Sequence, residues 1–258
     1  MKPLAIDLFC GLGGWTEGLL DEGYDVIGFD IEQHVYGDDR YPAQLVLQDV
    51  LTIHGSQFKD AALIVASPPC QAYSYRAMPW KRAKALPPPS NELFDACFRI
   101  QREACEAAGR HVPLVVENVR GAIPWVGRSR WNFGSFHLWG DVPALMPLAV
   151  KSGVKVAGLN WSGSDKPGYK AQAFNGTAIK RLRESEGIKD YDAGAGLKMG
   201  GDWFSDPTST CRRHGSKSQA SKRASAMIAK IPIVLSRYIA ATYRPSPALG
   251  ERQQEGEK

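Results

Sequence analysis

Leu4-Ala5-Ile6-Asp7-Leu8-Phe9-Cys10-Gly11-Leu12-Gly13-Gly14 is the stretch from which the rest of the chain is read. Leu4 to Phe9 is a short strand-like run whose one polar residue is Asp7, and it passes directly into a glycine turn. A helical pattern follows through Leu19 and Leu20, and Gly23 closes it. Glycine lets a backbone turn tightly and approach a ligand closely. The next strand-like run, Asp25 to Phe29, ends at Asp30, with Glu32 just beyond. An acid at that position can bind ribose hydroxyls, so the pair of segments suits an adenine-containing cofactor. It is not the dinucleotide fingerprint, because Thr16 stands where the third glycine would be. A purely structural turn is the alternative reading of the loop alone.

Working outward, Leu45-Val46-Leu47 reads as a third strand ending near Asp49, and Leu63 to Ala66 as a fourth, stopped by Ser67-Pro68-Pro69. Leu93 to Ala108 has helical periodicity, and Leu114-Val115-Val116 is a fifth strand ending at Glu117-Asn118. Continuous apolar strands alternating with helices predict an α/β fold, a doubly wound, mostly parallel, Rossmann-like sheet. Ligands of such sheets bind beyond the carboxyl ends of the strands. Those ends carry Gly11 to Gly14, Asp30, Asp49, Ser67 to Gln71 and Glu117-Asn118.

The character changes after Lys151. Residues 163–201 hold eight glycines and little periodicity, which reads as a loop-rich lobe. Helical patterning returns from Ser218 to Thr242. The domain expectation is therefore a catalytic domain over 1–150, a small lobe over 151–210, a basic helical segment over 211–244 that returns to the first domain, and a disordered tail over 245–258.

The composition of the 258-residue chain, 43% hydrophobic and 23% charged, excludes collagen, coiled coil and a wholly disordered chain. No apolar run is long enough for a membrane span, and no signal-like segment precedes the first strand, so a cytoplasmic protein is expected. Five scattered cysteines without a C-x-x-C predict neither a disulfide framework nor a metal site. Net charge is +5, with eight Lys or Arg and no acid between Pro207 and Arg244. Tyr75 to Asn91 is a second acid-free stretch, with Arg76, Lys81, Arg82 and Lys84. Clustered positive charge is the footprint of a polyanion partner, or else a solvated basic face.

Ser67-Pro68-Pro69-Cys70-Gln71-Ala72-Tyr73-Ser74 carries the chemistry. Two prolines stiffen the approach to Cys70. A rigid loop at a strand end suits presentation of a thiolate better than core packing. Cys10, beside the glycine turn, and the helical Cys97 and Cys105 read as core. Glu117 emerges from an apolar strand, where burial raises a carboxyl pKa. Protonated, it would donate to a ring nitrogen; a salt-bridge carboxylate is the alternative.

In this order the segments resemble the DNA (cytosine-5) methyltransferase family. Asp7 to Gly14 resembles its cofactor motif, Ser67 to Ser74 its Pro-Cys-Gln motif, and Glu117-Asn118-Val119 its Glu-Asn-Val motif. The resemblance covers about residues 4–142 and resumes more weakly over 224–241. It implies the S-adenosylmethionine-dependent methyltransferase fold, S-adenosylmethionine as cofactor, and duplex DNA as partner of a monomer without metal. It also implies base flipping, a covalent bond from Cys70 to carbon 6 of cytosine, and transfer of a methyl group to carbon 5. Glu117 would engage the base, Asn118 would orient neighbouring backbone, and Arg130 or Arg128 would contact the cytosine O2 or the Cys70 loop. Cofactor contacts fall on Asp7, Phe9, Cys10, Gly11, Gly13, Gly14, Asp30, Ile31, Asp49, Val50 and Pro69. Gln71, Ser74 and Arg76 fall to the substrate.

Asp30 stands where the family has a ribose-binding glutamate, a conservative departure with Glu32 as the fallback, and the sequence departs at three further places. The Gln-x-Arg-x-Arg motif is reduced to Arg128-Ser129-Arg130. Arg223-Ala224-Ser225-Ala226 replaces a Gly-Asn. The recognition segment is short, which predicts a short or relaxed target sequence and suits a phage-encoded or stand-alone bacterial enzyme. An RNA cytosine-5 methyltransferase, a cytosine modifier with an altered cofactor, and a catalytically silent DNA-binding homologue are the alternatives.

Overall fold

The computed structural model describes residues 2–74, 87–144 and 218–245. The expected lobe at 151–210, the tail beyond residue 245, and Tyr75 and Arg76 lie outside the described residues.

Strand β1 spans Leu4–Leu8, β2 Asp25–Asp30, β5 Gln44–Leu47, β6 Leu63–Ala66 and β7 Leu114–Val119; a two-residue hairpin, β3 (Val35–Tyr36) and β4 (Asp39–Arg40), stands apart. Two further strands, β8 (Trp131–Phe133) and β9 (Phe136–Gly140), complete the main sheet. The order is β5-β2-β1-β6-β7-β9-β8. Five strands run parallel, and β9 and β8 add an antiparallel edge. The expected mostly parallel sheet is therefore present.

The hairpin β8–β9 was not foreseen, and it alters the fifth strand. Glu117 and Asn118 are not beyond that strand's end. They lie inside β7, opposite Leu138 and His137 of β9. An antiparallel neighbour supplies the ladder partners that prolong β7 past the region paired with β6.

Side chains alternate across the sheet as the pleat requires. Ile6, Leu8, Ile64, Ala66, Leu114 and Val116 pack on one face against the helix α2, Glu92–Ala108. Ala5, Leu63, Val65 and Val115 pack on the other, against α1 (Gly14–Asp21) and the C-terminal helix. Burial on both faces explains why these strands read as continuous apolar runs. After the short helix α3 (Ile123–Val126), the C-terminal segment forms not one helix but two, α4 (Gln219–Ala229) and α5 (Ile233–Tyr243). Pro232 is the cause, since a residue before proline is driven out of helical conformation.

Helix α5 seats on α1 because α1 presents glycines. A Cβ on Gly18 would lie 2.3 Å from Ser236 Oγ and 2.5 Å from Arg237 N, and one on Gly14 would lie 2.3 Å from Ile231 N. Ser236 donates its hydroxyl to the Trp15 carbonyl, and Lys230 pairs with Glu17. The packing of α5 on α1 thus fixes the helix that begins at the glycine turn. Gly14, named among the cofactor contacts, also makes this helix contact.

Candidate active site

The strand order reverses between β1 and β6, so the loops leaving their carboxyl ends border one crevice. One of these loops is Phe9 to Gly13 and the other is Ser67 to Ser74.

Phe9 leaves β1 at φ 58 and is the one non-glycine residue at positive φ among the described residues. Such a backbone costs about 1–3 kcal/mol and persists only where its surroundings hold it. Cys10 N donates to Phe29 O at 3.1 Å and Gly13 N to Cys10 O at 2.7 Å, which clamp the loop. Gly11 (φ +52) has nothing within 4 Å of where a Cβ would stand, so its backbone faces open space. Gly13, by contrast, is needed for packing, because a Cβ there would lie 2.5 Å from the Pro42 ring.

The acids beneath the loop divide the work. Asp7 is 1% exposed and accepts the Thr16 hydroxyl at 2.6 Å; the Tyr41 hydroxyl lies 2.7 Å from Thr16 Oγ1. Asp7 Oδ1 has no partner. Burial pushes the Asp7 pKa up to about 7, the Thr16 bond opposes this, and the neighbouring Asp30 charge adds to it. Burial, with Asp7 and Asp30 nearby, also pushes the Cys10 thiol up, as suits the core role expected of it.

Asp30 braces the glycine loop. Its Oδ2 accepts from Gly11 N at 2.9 Å, and its Oδ1 from Ile31 N at 2.8 Å and Glu32 N at 3.3 Å. Burial alone would raise its pKa, but these bonds and His34 outweigh it and hold the carboxyl below the usual range. His34 is raised in turn, chiefly by its bond to Asp30. Glu32, the second candidate for ribose, is exposed.

Asp49 caps the turn Val50–Thr52 through Leu51 N at 2.9 Å. The Val50 side chain is buried in the core, so only its main chain is left for a ligand. Ile31 is 73% exposed and Leu51 is 36% exposed. The open backbone at Gly11, the orphan oxygen of Asp7 and the bare Ile31 fit an amphipathic ligand with a polar end and an apolar ring.

The second loop is anchored on three sides. Ser67 N donates to Leu8 O at 3.1 Å, and the Trp15 indole donates to Ser67 Oγ at 3.0 Å. Asn118, 1% exposed, donates from Nδ2 to Pro68 O at 2.9 Å and accepts Val119 N on Oδ1 at 2.8 Å. The Cys70 carbonyl accepts Tyr73 N and Ser74 N, both at 3.0 Å, and Tyr73, 3% exposed, donates its hydroxyl to Asn91 Oδ1 at 2.9 Å. A Cβ on Gly121 would lie 2.0 Å from Tyr73 O, so the chain after β7 lies directly against this loop. Cys70 itself is half-buried at the head of the turn; Pro69 and Gln71 are exposed, and Ser74 is half-buried. Glu117 is 7% exposed on β7.

Arg128 and Arg130 are both exposed on the connection into β8. Between them, the Ser129 hydroxyl lies 2.9 Å from His137 Nδ1. His137, opposite Asn118 in the ladder, has its pKa lowered by burial and then by the Arg120 charge.

The structure therefore gathers the glycine loop, the Cys70 loop, Glu117 and Asn118 at one end of the sheet. Sequence reasoning missed the residues that hold them: Trp15, Thr16, Tyr41, Asn91 and His137. The one local sign was Thr16, a β-branched polar residue on a helix otherwise opened by glycines. The others act through contacts remote in sequence.

Residues 4–123 match the family model of C-5 cytosine-specific DNA methylase. No curated protein is significantly similar to the chain. Among solved structures, the chain is similar to one assigned as a DNA modification methyltransferase encoded within a prophage of E. coli, at 24% identity, 47% of this chain, 33% of that chain and a TM-score of 0.34. It is also similar to the S. pombe Dnmt2 methyltransferase, at 17% identity over 48% of this chain and 36% of that one, with a TM-score of 0.34. The Entamoeba histolytica methyltransferase EhMeth matches at 18% identity over 49% and 41%, with a TM-score of 0.35. The chain thus spans about a third to two fifths of the length of these structures. The sheet is seven-stranded and mostly parallel, and the C-5 cytosine-specific DNA methylase match supports S-adenosylmethionine as the cofactor. Residues 4–123 form a domain of the C-5 cytosine-specific DNA methylase family.

Proposed function

We propose that this chain methylates carbon 5 of cytosine in duplex DNA through a covalent bond to Cys70. The observation that carries the reading is the Asn118–Pro68 hydrogen bond, which ties β7, the strand of Glu117, to the Cys70 loop across the crevice from the glycine turn.

The cofactor would lie along Phe9, Gly11 and Gly13, with Ile31, Asp49 and the Val50 main chain toward its adenine and Asp30 or Glu32 toward its ribose. When bound, S-adenosylmethionine supplies the methyl group that carbon 5 accepts. The remaining work belongs to the chain. Carbon 5 of cytosine is a poor nucleophile. The Cys70 thiolate adds to carbon 6, the S–C6 bond forms, and the 5,6 double-bond electrons move to carbon 5. Glu117 holds a proton at N3 and so favours that addition. After methylation, solvent water takes the carbon-5 proton, the C5–H electrons re-form the double bond, and the S–C6 bond breaks to expel the Cys70 thiolate. Arg128 or Arg130 steadies the cytosine O2 or the Cys70 loop, while Gln71, Ser74 and Arg76 receive the flipped nucleotide and its phosphate. A base stacked inside a duplex is beyond reach of such a loop, so it is extruded first.

The test is incubation with methyl-labelled S-adenosylmethionine and mixed-sequence duplex DNA, followed by nucleoside mass spectrometry. Labelled 5-methylcytosine is the expected product. Label in RNA alone, or on another nucleoside, would overturn the reading.

A further inference from the structure

We propose that Trp125 is a nucleic-acid contact of this site, stacking on a base of the bound DNA beside the extruded cytosine. The inference rests on the functional reading above and adds a residue that neither the Pro-Cys-Gln nor the Glu-Asn-Val segment contains.

Helix α3 is a single turn with two faces. Ile123 and Val126, three residues apart, pack against the core. Trp125 is turned out and is 38% exposed, the largest side chain among the exposed hydrophobic residues described. A part-exposed indole offers a flat apolar face that a ligand can cover. The segment around it indicates what does. From Arg120 to Arg130 there are three arginines, all exposed, and no acid. An exposed indole among unopposed guanidinium groups is complementary to a strand of nucleic acid, phosphate to arginine and base to ring.

The position is fixed relative to Cys70. The Trp125 carbonyl accepts Asn91 Nδ2 at 2.9 Å; Asn91 Oδ1 accepts the Tyr73 hydroxyl at 2.9 Å; and Tyr73 N donates to the Cys70 carbonyl at 3.0 Å. Gly121, at the start of the same segment, abuts the Tyr73 carbonyl. Trp125 is therefore held to the nucleophile's loop by its backbone, which leaves its ring free to bind.

The experiment measures binding of an end-labelled mixed-sequence duplex by anisotropy at several salt concentrations, for wild type, W125A, W125F and R120A. Cofactor affinity and the unfolding midpoint of each variant report integrity. W125A is expected to weaken DNA binding about 5- to 150-fold with an unchanged salt slope, the range and signature of a lost stacking contact. W125F retains most of the affinity, and R120A lowers the salt slope by about 0.9. W125A binding within twofold of wild type overturns the proposal, as does a salt slope that falls with it. So does a structured RNA that outcompetes the duplex. A loss of binding in W125A beside a wild type that makes no 5-methylcytosine would support the stacking contact and refute the chemistry instead.

Discussion

Replacing Asn118 by alanine perturbs the point at which two sequence-remote motifs meet. In the native chain Asn118 Nδ2 satisfies Pro68 O and Oδ1 satisfies Val119 N. Asn118→Ala leaves both backbone groups without these partners. Pro68 is buried, so the loss there is not made good by water unless the loop moves. An unsatisfied buried group costs about 1–3 kcal/mol, so the sum is about 2–6 kcal/mol, less whatever the loop recovers by shifting. That shift would carry the functional cost. A misplacement of about 1 Å between reacting atoms lowers a rate by about 100-fold. Asn118→Asp keeps the acceptor for Val119 N but sets a buried carboxylate against the Pro68 carbonyl at neutral pH, so it is expected to cost at least as much stability as alanine and still free the loop. Urea unfolding reports the stability of the three proteins, and the rate of covalent capture by 5-fluorocytosine DNA reports the geometry of Cys70. Stability within about 0.5 kcal/mol of wild type, together with an unchanged capture rate in Asn118→Ala, would refute the reasoning.

Asp7 gives a pH signature. Its folded pKa near 7 lies above its ordinary value of 3.8, so the folded chain holds a proton that the unfolded chain sheds between those values. Stability contributed by this group is present below about pH 4 and falls as pH rises to about 7, by a total of about 4 kcal/mol. Asp7→Asn is expected to remove that fall; parallel profiles for the two proteins would count against it. Gly18→Ala should lower the unfolding midpoint despite the better helix propensity of alanine, worth about 1 kcal/mol, because overpacking against Ser236 and Arg237 costs about 1–3 kcal/mol; a stabilised variant would contradict the contact. Trp15→Phe and Ser67→Ala, combined in a double-mutant cycle, should show a coupling of about 0.5–1.5 kcal/mol through their hydrogen bond, and strict additivity would mean the bond is idle.

The parallel strands were legible because their signal is local. A strand buried on both faces is an apolar run, and Leu63 to Ala66 or Leu114 to Val116 admits few other readings. The glycine turn and the Pro-Pro-Cys-Gln loop were legible for the same reason, since their residue types restrict the backbone where they stand. The hairpin β8–β9 was not. Trp131–Phe133 is only three residues long, and the hairpin's place at the sheet edge depends on pairing with β7. Pro232 was readable as a break, and the periodicity reading over 218–242 ran through it because apolar residues recur on both sides. The role of Asp30 shows a different limit. A sequence can place an acid at a strand end, but it does not show that the carboxylate is already engaged with Gly11, Ile31 and Glu32. The network of Asp7, Thr16 and Tyr41 is of the same kind, assembled from three segments whose contacts exist only in the folded chain.

The central claim is that Cys70 bonds to the target base. Its most direct measurement is incubation with duplex DNA carrying 5-fluorocytosine and S-adenosylmethionine, followed by proteolysis and mass mapping of the adduct. Fluorine cannot leave as a proton does, so the bond to carbon 6 persists. The account predicts a single cross-linked peptide containing Cys70, absent in Cys70→Ser. An adduct on Cys10, Cys97 or Cys105, or methyl transfer that proceeds unchanged in Cys70→Ala, would contradict it.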